Sequence, residues 1–416
     1  MPNVAPINTH VAKRMLTRLD NMMAMQSNVN RDFQADLADS QKKHGGIINI
    51  QKPPQFNIRT GEIMEVQNVV IPAISTSLNM FGVDVSASQL DLQISHDALQ
   101  RGKIDGVLDG AASALAAKIE ADGFDLALKV ANVVGTPGTT ITDPSVLSTA
   151  GALITSNGGK IGKRGRFGLL NSFQNASFAS GVKNYFNPVT TVNDAYAEGL
   201  LGNGYGFELY DSQVANTFTS GVYGGTPLTN GVLVAGNTIV TDGWTATTTS
   251  LNVGDTFTIA GCFNRNLQTK RSTGRLKNFV VAAKTVTDGS GNSTITIGED
   301  GIILSGPLQN VINASGGNTF ADNSAITVTS GASNTTSIQS LLYQKNAFTL
   351  AVVPIAKIPG DLGVKQTVVS DKTSGLSISM KEFIDGKTNQ HMVRFDVLYA
   401  WLETYPQIAC RVLGGV

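Results

Sequence analysis

The composition of the chain changes abruptly after Gly225, and this change limits its possible folds more than any other feature. Residues from about 226 to 340 are rich in Thr, Ser, Gly, Asn and Val, and they contain the short segments GVLVAG, DTFTIAG, NFVVAAKTV and STITIG. Turn sequences recur among them at Asp242-Gly243, Asp288-Gly289, Gly316-Gly317 and Ser330-Gly331. The pattern predicts an all-β barrel or sandwich inserted into a chain of mixed α and β structure.

The N-terminal segment has apolar residues at helical spacing. Residues 11–43 carry Val11, Met15, Leu19 and Met22, followed by Phe33 and Leu37, with most charges off this stripe. Two alternatives remain open for the segment. It is either an amphipathic helix packed on its own subunit or an arm that contacts a neighbour.

Residues 46–75 indicate a long β-hairpin whose turn is Arg59-Thr60-Gly61-Glu62. A hairpin with few large apolar residues at its tip buries little by itself, so it needs a partner surface. We expect Arg59, Glu62 and Glu65 to contact a neighbouring subunit. The alternative is a hairpin that lies on its own domain.

The clearest helical pattern covers residues 97–134, where apolar residues recur close to every 3.6 positions. Asp125 and Lys129 are spaced for an i,i+4 ion pair. Each internal glycine weakens the helix by about 1 kcal/mol relative to alanine, and the segment contains Gly102, Gly106, Gly110 and Gly123. We expect the helix to end before Gly135-Thr136-Pro137-Gly138.

Shorter elements follow this helix. Asp143 and Pro144 predict the start of a second helix, with Asp143 as its N-cap. The segment GRFGLL predicts a strand, and a helical stretch is expected near Ser172–Val182. Longer mixed strands are expected over residues 376–413.

One basic cluster lies inside the β-rich stretch. Five cations occur without an acid between residues 262 and 278: Arg265, Lys270, Arg271, Arg275 and Lys277. The cluster lies between two predicted strands in the sequence, so we expect it in a loop or at a hairpin tip. We expect Lys270, Arg271 and Arg275 to contact an acidic patch of a neighbouring subunit, and their neutralisation to weaken assembly without unfolding the monomer. The alternative is a solvated loop.

Low charge limits the function classes. Charged residues make up 15% of the chain and the net charge is zero, whereas an average soluble domain has about 25% charged residues. A protein that grips DNA phosphates needs a basic excess, so that class is disfavoured. A surface with little electrostatic repulsion suits a subunit that is packed against copies of itself.

The cysteine count and the targeting signals indicate where the chain folds. Two cysteines exclude a disulfide framework, and neither a secretory signal nor a membrane span is expected. These features indicate folding in a reducing cytosol.

No catalytic or ligand motif is recognisable. The four histidines lie far apart and no Cys-x-x-Cys is present, so no metal site is expected. The Gly158–Arg164 stretch fails the phosphate-loop pattern, because its glycine spacing is one residue short and Arg164 replaces the Ser or Thr that binds magnesium. We therefore expect no enzymatic activity, catalytic residue or cofactor.

Three segments resemble the coat proteins of short-tailed phages related to phage P22. They are Val253–Arg265 with Thr269–Val281, Asn346–Pro354, and Arg394–Trp401 with Tyr405–Val412. The resemblance is specific over roughly residues 250–285 and 340–413, and over the first 225 residues it depends on the order of elements.

The resemblance implies an α+β major capsid protein with the HK97-like fold and an inserted all-β barrel. The implied order is an N-terminal arm (1–45), an extended loop (46–75), a peripheral domain with a long spine helix (76–140) and the first part of an axial domain (141–225). The inserted barrel (226–340) and the remainder of the axial and peripheral domains (341–416) follow.

The implied function is self-assembly into an icosahedral shell around a double-stranded DNA genome. The implied partners are further copies of the chain in hexamers and pentamers, a scaffolding protein and a portal protein, with neither sequence-specific DNA binding nor a membrane. The implied location is the virion capsid, assembled in the host cytoplasm. Two alternatives remain: a β-rich host-binding virion protein or adhesin, and a nanocompartment shell protein of the same fold.

Overall fold

A computed structural model gives the fold of the chain. The residues that it describes are 7–31, 47–52, 54–56, 72–88, 103–143, 145–159, 165–182, 203–298, 301–357, 364–371, 375–385, 387 and 390–415. Within these ranges, no helix has both the length and the apolar character that a membrane crossing requires.

The structure is of the mixed α+β class and rich in strands. The described residues contain the helices α1 (Ile7–Asn21), α2 (Ala24–Ser27), α3 (Lys103–Phe124), α4 (Ser145–Ser156) and α5 (Ser172–Val182). Strands of the first half are β1 (Ile47–Gln51), β2 (Ala73–Ser77), β3 (Asn79–Ser88), β4 (Val133–Val134), β5 (Arg166–Asn171), β6 (Asn203–Gly204), β7 (Phe207–Ser212) and β8 (Thr217–Thr219). The β-rich stretch contains β9 (Gly225–Thr229), β10 (Thr238–Trp244), β11 (Ser250–Leu251), β12 (Thr256–Arg265), β13 (Ser272–Val280), β14 (Thr285–Val286), β15 (Ser293–Thr296), β16 (Val311–Ile312) and β17 (Ile326–Val328). The last strands are β18 (Thr336–Gln344), β19 (Phe348–Val352), β20 (Lys365–Ser370), β21 (Ser377–Asp385), β22 (Gln390–Glu403) and β23 (Ala409–Gly414).

The chain divides into two compact units. Unit 1 consists of Met1–Gln51, Ala73–Gly123 and Phe348–Leu402, and unit 2 of Lys52–Pro72, Phe124–Ala347 and Glu403–Val416. Each unit is therefore assembled from segments that are distant in sequence.

A sheet of order β19-β22-β21-β20, with β3 also paired to β22, forms the centre of unit 1. The pairing of β3 with β22 is antiparallel and runs from Asn79↔Tyr399 to Ser88↔Gln390. β1 and β2 pair antiparallel with Ile50 opposite Ile74, which agrees with a hairpin base at these positions. Both isoleucines are buried in a core with Ala351, Val353, Ala400 and Leu402. The expected turn of that hairpin lies outside the described residues.

The N-terminal helix packs on its own unit. Three positions of its apolar stripe, Val11, Met15 and Leu19, are buried, while Met22 is exposed. Arg18 forms a 2.6 Å ion pair with Asp109 of α3. Over residues 7–31 the structure therefore favours the packed amphipathic helix over a free arm, and Phe33 and Leu37 lie outside the described residues.

The helix expected over residues 97–134 is shorter at its C-terminal end. α3 ends at Phe124, a 3₁₀ turn follows over Asp125–Lys129, and Val133 and Val134 form β4 in parallel pairing with β23. Lys129 binds Glu403 at 2.6 Å rather than forming the expected pair with Asp125. Pairing with a distant strand thus overrides the local helical pattern.

α3 is held against β22 by polar contacts at its C-terminal end. The Tyr399 hydroxyl donates to the Asp122 carboxylate at 2.7 Å, and the Trp401 indole donates to the Ile119 carbonyl at 2.9 Å. The Glu120 carboxylate accepts a hydrogen bond from the Met25 backbone N–H at 2.8 Å. A side chain of α3 therefore also satisfies a backbone donor in the first turn of α2. Burial raises the pKa of Glu120.

The central sheet of unit 2 has the order β4-β23-β18-β5-β7-β6, with β8 also paired to β18. The expected strand GRFGLL is β5, and five of its six residues are buried. The Asp143 carboxylate accepts the Ser145 N–H at 2.8 Å, as expected for an N-cap of α4. The helical stretch expected near Ser172–Val182 is α5.

Residues of the β-rich stretch share one hydrophobic core. Its strands form the sheets β15-β10-β9, β11-β14 and β13-β12-β16, with β17 also paired to β12. Their buried side chains include Ile239, Trp244, Phe257, Phe279 and Ile295. We name residues 226–340 the β-module. Whether its strands close into a barrel, and the domain boundaries that we assigned, stay predictions.

Two expectations within the β-module are wrong. GVLVAG is a loop, with Leu233 buried but Val232 and Val234 exposed, so its alternating pattern does not produce a strand. Asp242-Gly243 is an irregularity within β10, where the register to β9 shifts, and Gly243 has a φ of 73°. Glycine favours such a bulge as readily as a turn, because it adopts positive φ without steric cost.

The base of the β-module holds a buried charge cluster. The Asp255 carboxylate accepts the Asn252 and Gly221 N–H groups at 2.7 and 3.0 Å and the Ser330 hydroxyl at 2.8 Å. From β23, the Arg411 guanidinium donates to the Gly254 carbonyl at 2.6 Å. Burial lowers the pKa of Arg411 to about 10, and the charge of Asp255 opposes that decrease. Burial likewise raises the pKa of Asp255. The cluster therefore links the module to the last strand of the sheet.

Replacing Gly110 or Gly123 of α3 with alanine should change the free energy of unfolding in opposite directions. A Cβ at Gly110 meets nothing within 4 Å, whereas one at Gly123 lies 2.7 Å from the Trp401 ring and 3.0 Å from the Met25 sulfur. We expect Gly110→Ala to raise the free energy of unfolding by about 0.5–1 kcal/mol through helix propensity. Gly123→Ala should lower it by about 1–3 kcal/mol through overpacking. Urea denaturation of both variants measures this, and a stabilised Gly123→Ala variant would contradict the packing.

The charge cluster predicts strong coupling between two substitutions. Arg411→Met leaves the Asp255 carboxylate buried without its counter-charge, and Asp255→Asn does the reverse, so each should cost about 3 kcal/mol of unfolding free energy. The double variant should cost less than the sum of the two by at least about 1 kcal/mol. Equilibrium denaturation of the four proteins measures the coupling, and additivity would show that the two groups act independently.

Candidate functional site

The basic residues expected at subunit contacts lie on the hairpin of β12 and β13. Lys270 belongs to the connecting loop, Arg271 follows it, and Arg275 lies within β13. The other expected contacts, Arg59, Glu62 and Glu65, lie outside the described residues. The structure thus brings three of the six expected contact residues together on one element.

Irregular pairing shapes this hairpin. β12 and β13 are antiparallel from Thr256↔Val280 to Arg265↔Ser272, and their register shifts on both sides of Phe263. The loop is closed by backbone hydrogen bonds of 2.9 Å from Lys270 N to Asn266 O and from Asn266 N to Arg271 O. Lys270 has a φ of 58°, a value that few non-glycine residues adopt.

Two cations of the cluster hold the hairpin to its own module. The Lys270 ammonium donates to the Pro307 carbonyl at 2.6 Å. The Arg265 guanidinium donates to the carbonyls of Lys270 and Gln309, at 3.1 and 3.3 Å. Burial lowers the pKa of both groups, and the charge of Arg265 further lowers the pKa of Lys270. This geometry gives Lys270 a structural role in its own module, and its expected contact with a neighbouring subunit stays a prediction.

Three amide side chains fasten the hairpin to the C-terminal end of α4. Asn266 donates to the Ser156 carbonyl at 2.6 Å and Gln268 to the Gly158 carbonyl at 3.2 Å. Asn264 donates to the Asn157 side chain at 2.5 Å. The last carbonyls of a helix lack intrahelical donors, so Asn266 satisfies a carbonyl of α4 that would otherwise need water, while Gln268 and Asn264 bind the segment that follows the helix. We call Asn264, Asn266 and Gln268 the amide pins.

The remaining cations are placed differently. Arg271 and Arg275 are exposed and Lys277 is half-buried. Arg275 and Lys277 lie two residues apart on β13, so both project from the same face of the strand. Arg271 and Arg275 therefore form the exposed part of the basic cluster.

A cleft lies beside β13. It consists of two pockets of about 360 and 260 Å³, which share Lys129, Val280, Gly298 and Pro406 in their linings. Its cations are Lys52, Lys129, Arg275 and Lys277. Sequence reasoning missed the cleft, because Lys52 and Lys129 are more than 100 residues from β13 and nothing local marks them.

In the described residues, potential metal ligands do not cluster and both cysteines are buried. No group of three or more His, Cys, Asp or Glu side chains is arranged there to hold a metal ion. Both cysteines, Cys262 and Cys410, are buried, and burial raises the pKa of each thiol, that of Cys262 to about 12. Reactive cysteines need an accessible thiolate, which these environments disfavour.

The division of the basic cluster predicts different effects on stability. Lys270→Met removes a partly buried charged hydrogen bond and should lower the free energy of unfolding by about 1.5–3 kcal/mol. The matched change at an exposed neighbour, Arg271→Gln, should alter it by less than about 0.5 kcal/mol. Denaturation of the dissociated subunit measures both, and equal effects would show that Lys270 does not hold the loop.

Comparisons with known proteins give the family. The family profile described as "P22 coat protein - gene protein 5" matches residues 2–415. No curated protein matches the chain. Among solved structures, that of Mycobacterium phage Che8 is similar at 10% identity and a TM-score of 0.42, over 94% of this chain and 90% of that chain. A virus-like particle from Pyrococcus furiosus is similar at 6% identity and a TM-score of 0.37, over 97% of both chains.

Each of these TM-scores is below 0.5, so the assignment depends on the family profile, which covers nearly the whole chain. The resemblance noted in three segments is thereby confirmed and extended to the first 225 residues. The chain belongs to the P22 coat protein family, and it is a major capsid protein that forms the shell of a bacteriophage particle.

Proposed function

We propose that the chain self-assembles into an icosahedral shell that encloses a double-stranded DNA genome. The observation that carries the proposal is the match of the coat-protein profile to residues 2–415. The net charge of zero supports a wall that surrounds DNA without gripping it, because tight phosphate binding needs a cationic excess. No enzymatic activity or cofactor is part of the proposal.

The proposed architecture is the HK97-like fold with an inserted β-barrel. The assigned parts are the arm (1–45), extended loop (46–75), peripheral domain (76–140), axial domain (141–225 and, with further peripheral strands, 341–416) and barrel (226–340). The pairing of β1 with β2 and the shared core of the β-module support two of these assignments.

Assembly is proposed to depend on many weak contacts between copies in hexamers and pentamers. A contact of millimolar affinity contributes only about 4 kcal/mol, yet several such contacts per subunit stabilise a closed shell through effective concentration. Arg271 and Arg275 are proposed contact residues because they are exposed on a hairpin that the amide pins hold in place. Arg59, Glu62 and Glu65 are proposed contacts of the extended loop.

The remaining proposals concern other partners and location. A scaffolding protein would guide assembly in the host cytoplasm, and a portal protein would occupy one vertex of the virion. DNA would be enclosed without sequence-specific contacts.

Electron microscopy tests the proposed function. We expect closed polyhedral shells, or sheets of hexamers, from the protein expressed alone or together with the neighbouring genes of its operon. Monodisperse monomers or trimers in both samples would contradict self-assembly and would favour the adhesin alternative. Shells that never package DNA, even with the neighbouring genes present, would favour a nanocompartment.

A further inference from the structure

Asn-Gly pairs are the sequences in which the backbone nitrogen most easily attacks the asparagine side chain before it. Glycine has no Cβ to obstruct the approach of this nitrogen to the carbonyl carbon of the side chain. The chain contains three such pairs, which begin at Asn157, Asn203 and Asn230. The side chain of Asn203 lies outside the described residues, so the structure allows a comparison of the other two pairs.

Asn157 is held at both ends of its side-chain amide. Its Nδ2 donates to the Gln407 carbonyl at 3.1 Å, and its Oδ1 accepts a hydrogen bond from Asn264, one of the amide pins. The following Gly158 N–H donates to the Thr155 carbonyl at 3.1 Å. A peptide carbonyl is a very weak base, so it binds this nitrogen without helping it to lose its proton. Attack at Asn157 therefore requires these hydrogen bonds to break first.

Asn230 has the opposite environment. It lies in the loop after β9, its side chain is exposed, and none of the described residues binds its side-chain amide. The following Gly231 N–H donates to the Asp322 Oδ1 at 2.6 Å. A carboxylate within hydrogen-bond reach of a proton can remove it as a general base. The attacking nitrogen of this pair is therefore already bound to a base.

We propose that this pair is a site of self-modification, at which Asn230 is converted to aspartate and isoaspartate with Asp322 as the base. The Gly231 nitrogen forms a bond to the Asn230 Cγ, and the Asp322 carboxylate takes the proton from that nitrogen. The bond from Cγ to Nδ2 then breaks, and Asp322 returns the proton to the leaving group, which departs as ammonia. Water opens the resulting cyclic imide at either carbonyl, which gives an aspartate or an isoaspartate at position 230.

The conversion changes both the charge and the backbone of the β-module. The chain has 31 basic and 31 acidic residues, so each converted copy gains one net negative charge. In the isoaspartate product the main chain passes through the side-chain carbons and is one carbon longer. The loop carries a 2.9 Å bond from the Asn230 N–H to the Val240 carbonyl and the exposed side chains of Val232 and Val234. Conversion therefore alters an exposed loop of the module as the protein ages.

Peptide mapping of aged protein tests the proposal. Full-length subunits are incubated at neutral pH, either folded or unfolded in urea, and mass spectrometry follows the conversion of each asparagine. We expect Asn230 to convert at least about tenfold faster than Asn157 in the folded protein. In urea the two rates should be similar, because both side chains then precede a glycine without any fixed contacts. Isoelectric focusing should show the new charge as a more acidic band, which Asn230→Gln should remove.

Asp322→Asn separates the base from the hydrogen bond. The variant keeps an oxygen that can accept the Gly231 N–H, but it loses the group that takes the proton, so conversion of Asn230 should slow by at least about tenfold. Asp288→Asn is the matched control and should leave the rate unchanged. Asp288 is also exposed and also accepts backbone N–H groups, but it lies in another loop of the module. Circular dichroism verifies that both variants fold.

Three outcomes would overturn the inference. An Asn230 that stays intact in the folded protein but converts in urea would show that the bond to Asp322 protects the loop. Equal conversion of Asn157 and Asn230 in the folded protein would show that the fold does not select between the pairs. A folded Asp322→Asn variant in which Asn230 converts at an unchanged or higher rate would exclude Asp322 as the base. If this variant does not fold, the comparison of folded and urea-unfolded unaltered protein still decides the proposal.

Discussion

The buried charge cluster at the base of the β-module is the interaction on which the arrangement of unit 2 depends. The Asp255 carboxylate accepts hydrogen bonds from the Gly221 and Asn252 N–H groups and from the Ser330 hydroxyl. These three donors come together only when the module is folded. Arg411, on β23, binds the carbonyl of the neighbouring Gly254 and brings a positive charge close to Asp255. A buried charge is tolerated only when opposite charge and hydrogen bonds compensate it, so the position of the module is specified together with that of the sheet.

The amide pins add a second attachment at the other end of the module. Neutral amides suit this position, since they satisfy the carbonyls of Ser156 and Gly158 without adding charge beside the cations of the hairpin. With both ends fastened, Arg271 and Arg275 are presented on a hairpin that is held in place by its contacts. A supported contact loses less conformational entropy when subunits associate.

Local signals in the sequence predicted several elements correctly. Asp143 marked the start of α4, and the residues of β5 and α5 were expected where they lie. The errors occurred where distant pairing decides the structure. Val133 and Val134 continue a helical pattern, but they pair with β23. GVLVAG alternates as a strand does, yet it forms a loop that buries only Leu233 among its large side chains.

The candidate site was predictable only in part. Charge clustering predicted Lys270, Arg271 and Arg275 as contact residues, but it could not show that Lys270 binds the Pro307 carbonyl. The cleft depends on Lys52 and Lys129, whose approach to β13 follows from tertiary structure. Positions of this kind carry no local pattern, because their side chains meet only after the sheet and the module have packed.

Since the β-module is held at both ends, we expect it to behave as one rigid part of its unit. A cryo-electron microscopy map of the assembled shell at side-chain resolution tests it most directly. We expect the bond from the Asn266 amide to the Ser156 carbonyl and that from Arg411 to the Gly254 carbonyl in every copy, whatever its position in the shell. A hairpin displaced from α4 in some copies, with either bond broken, would contradict the account.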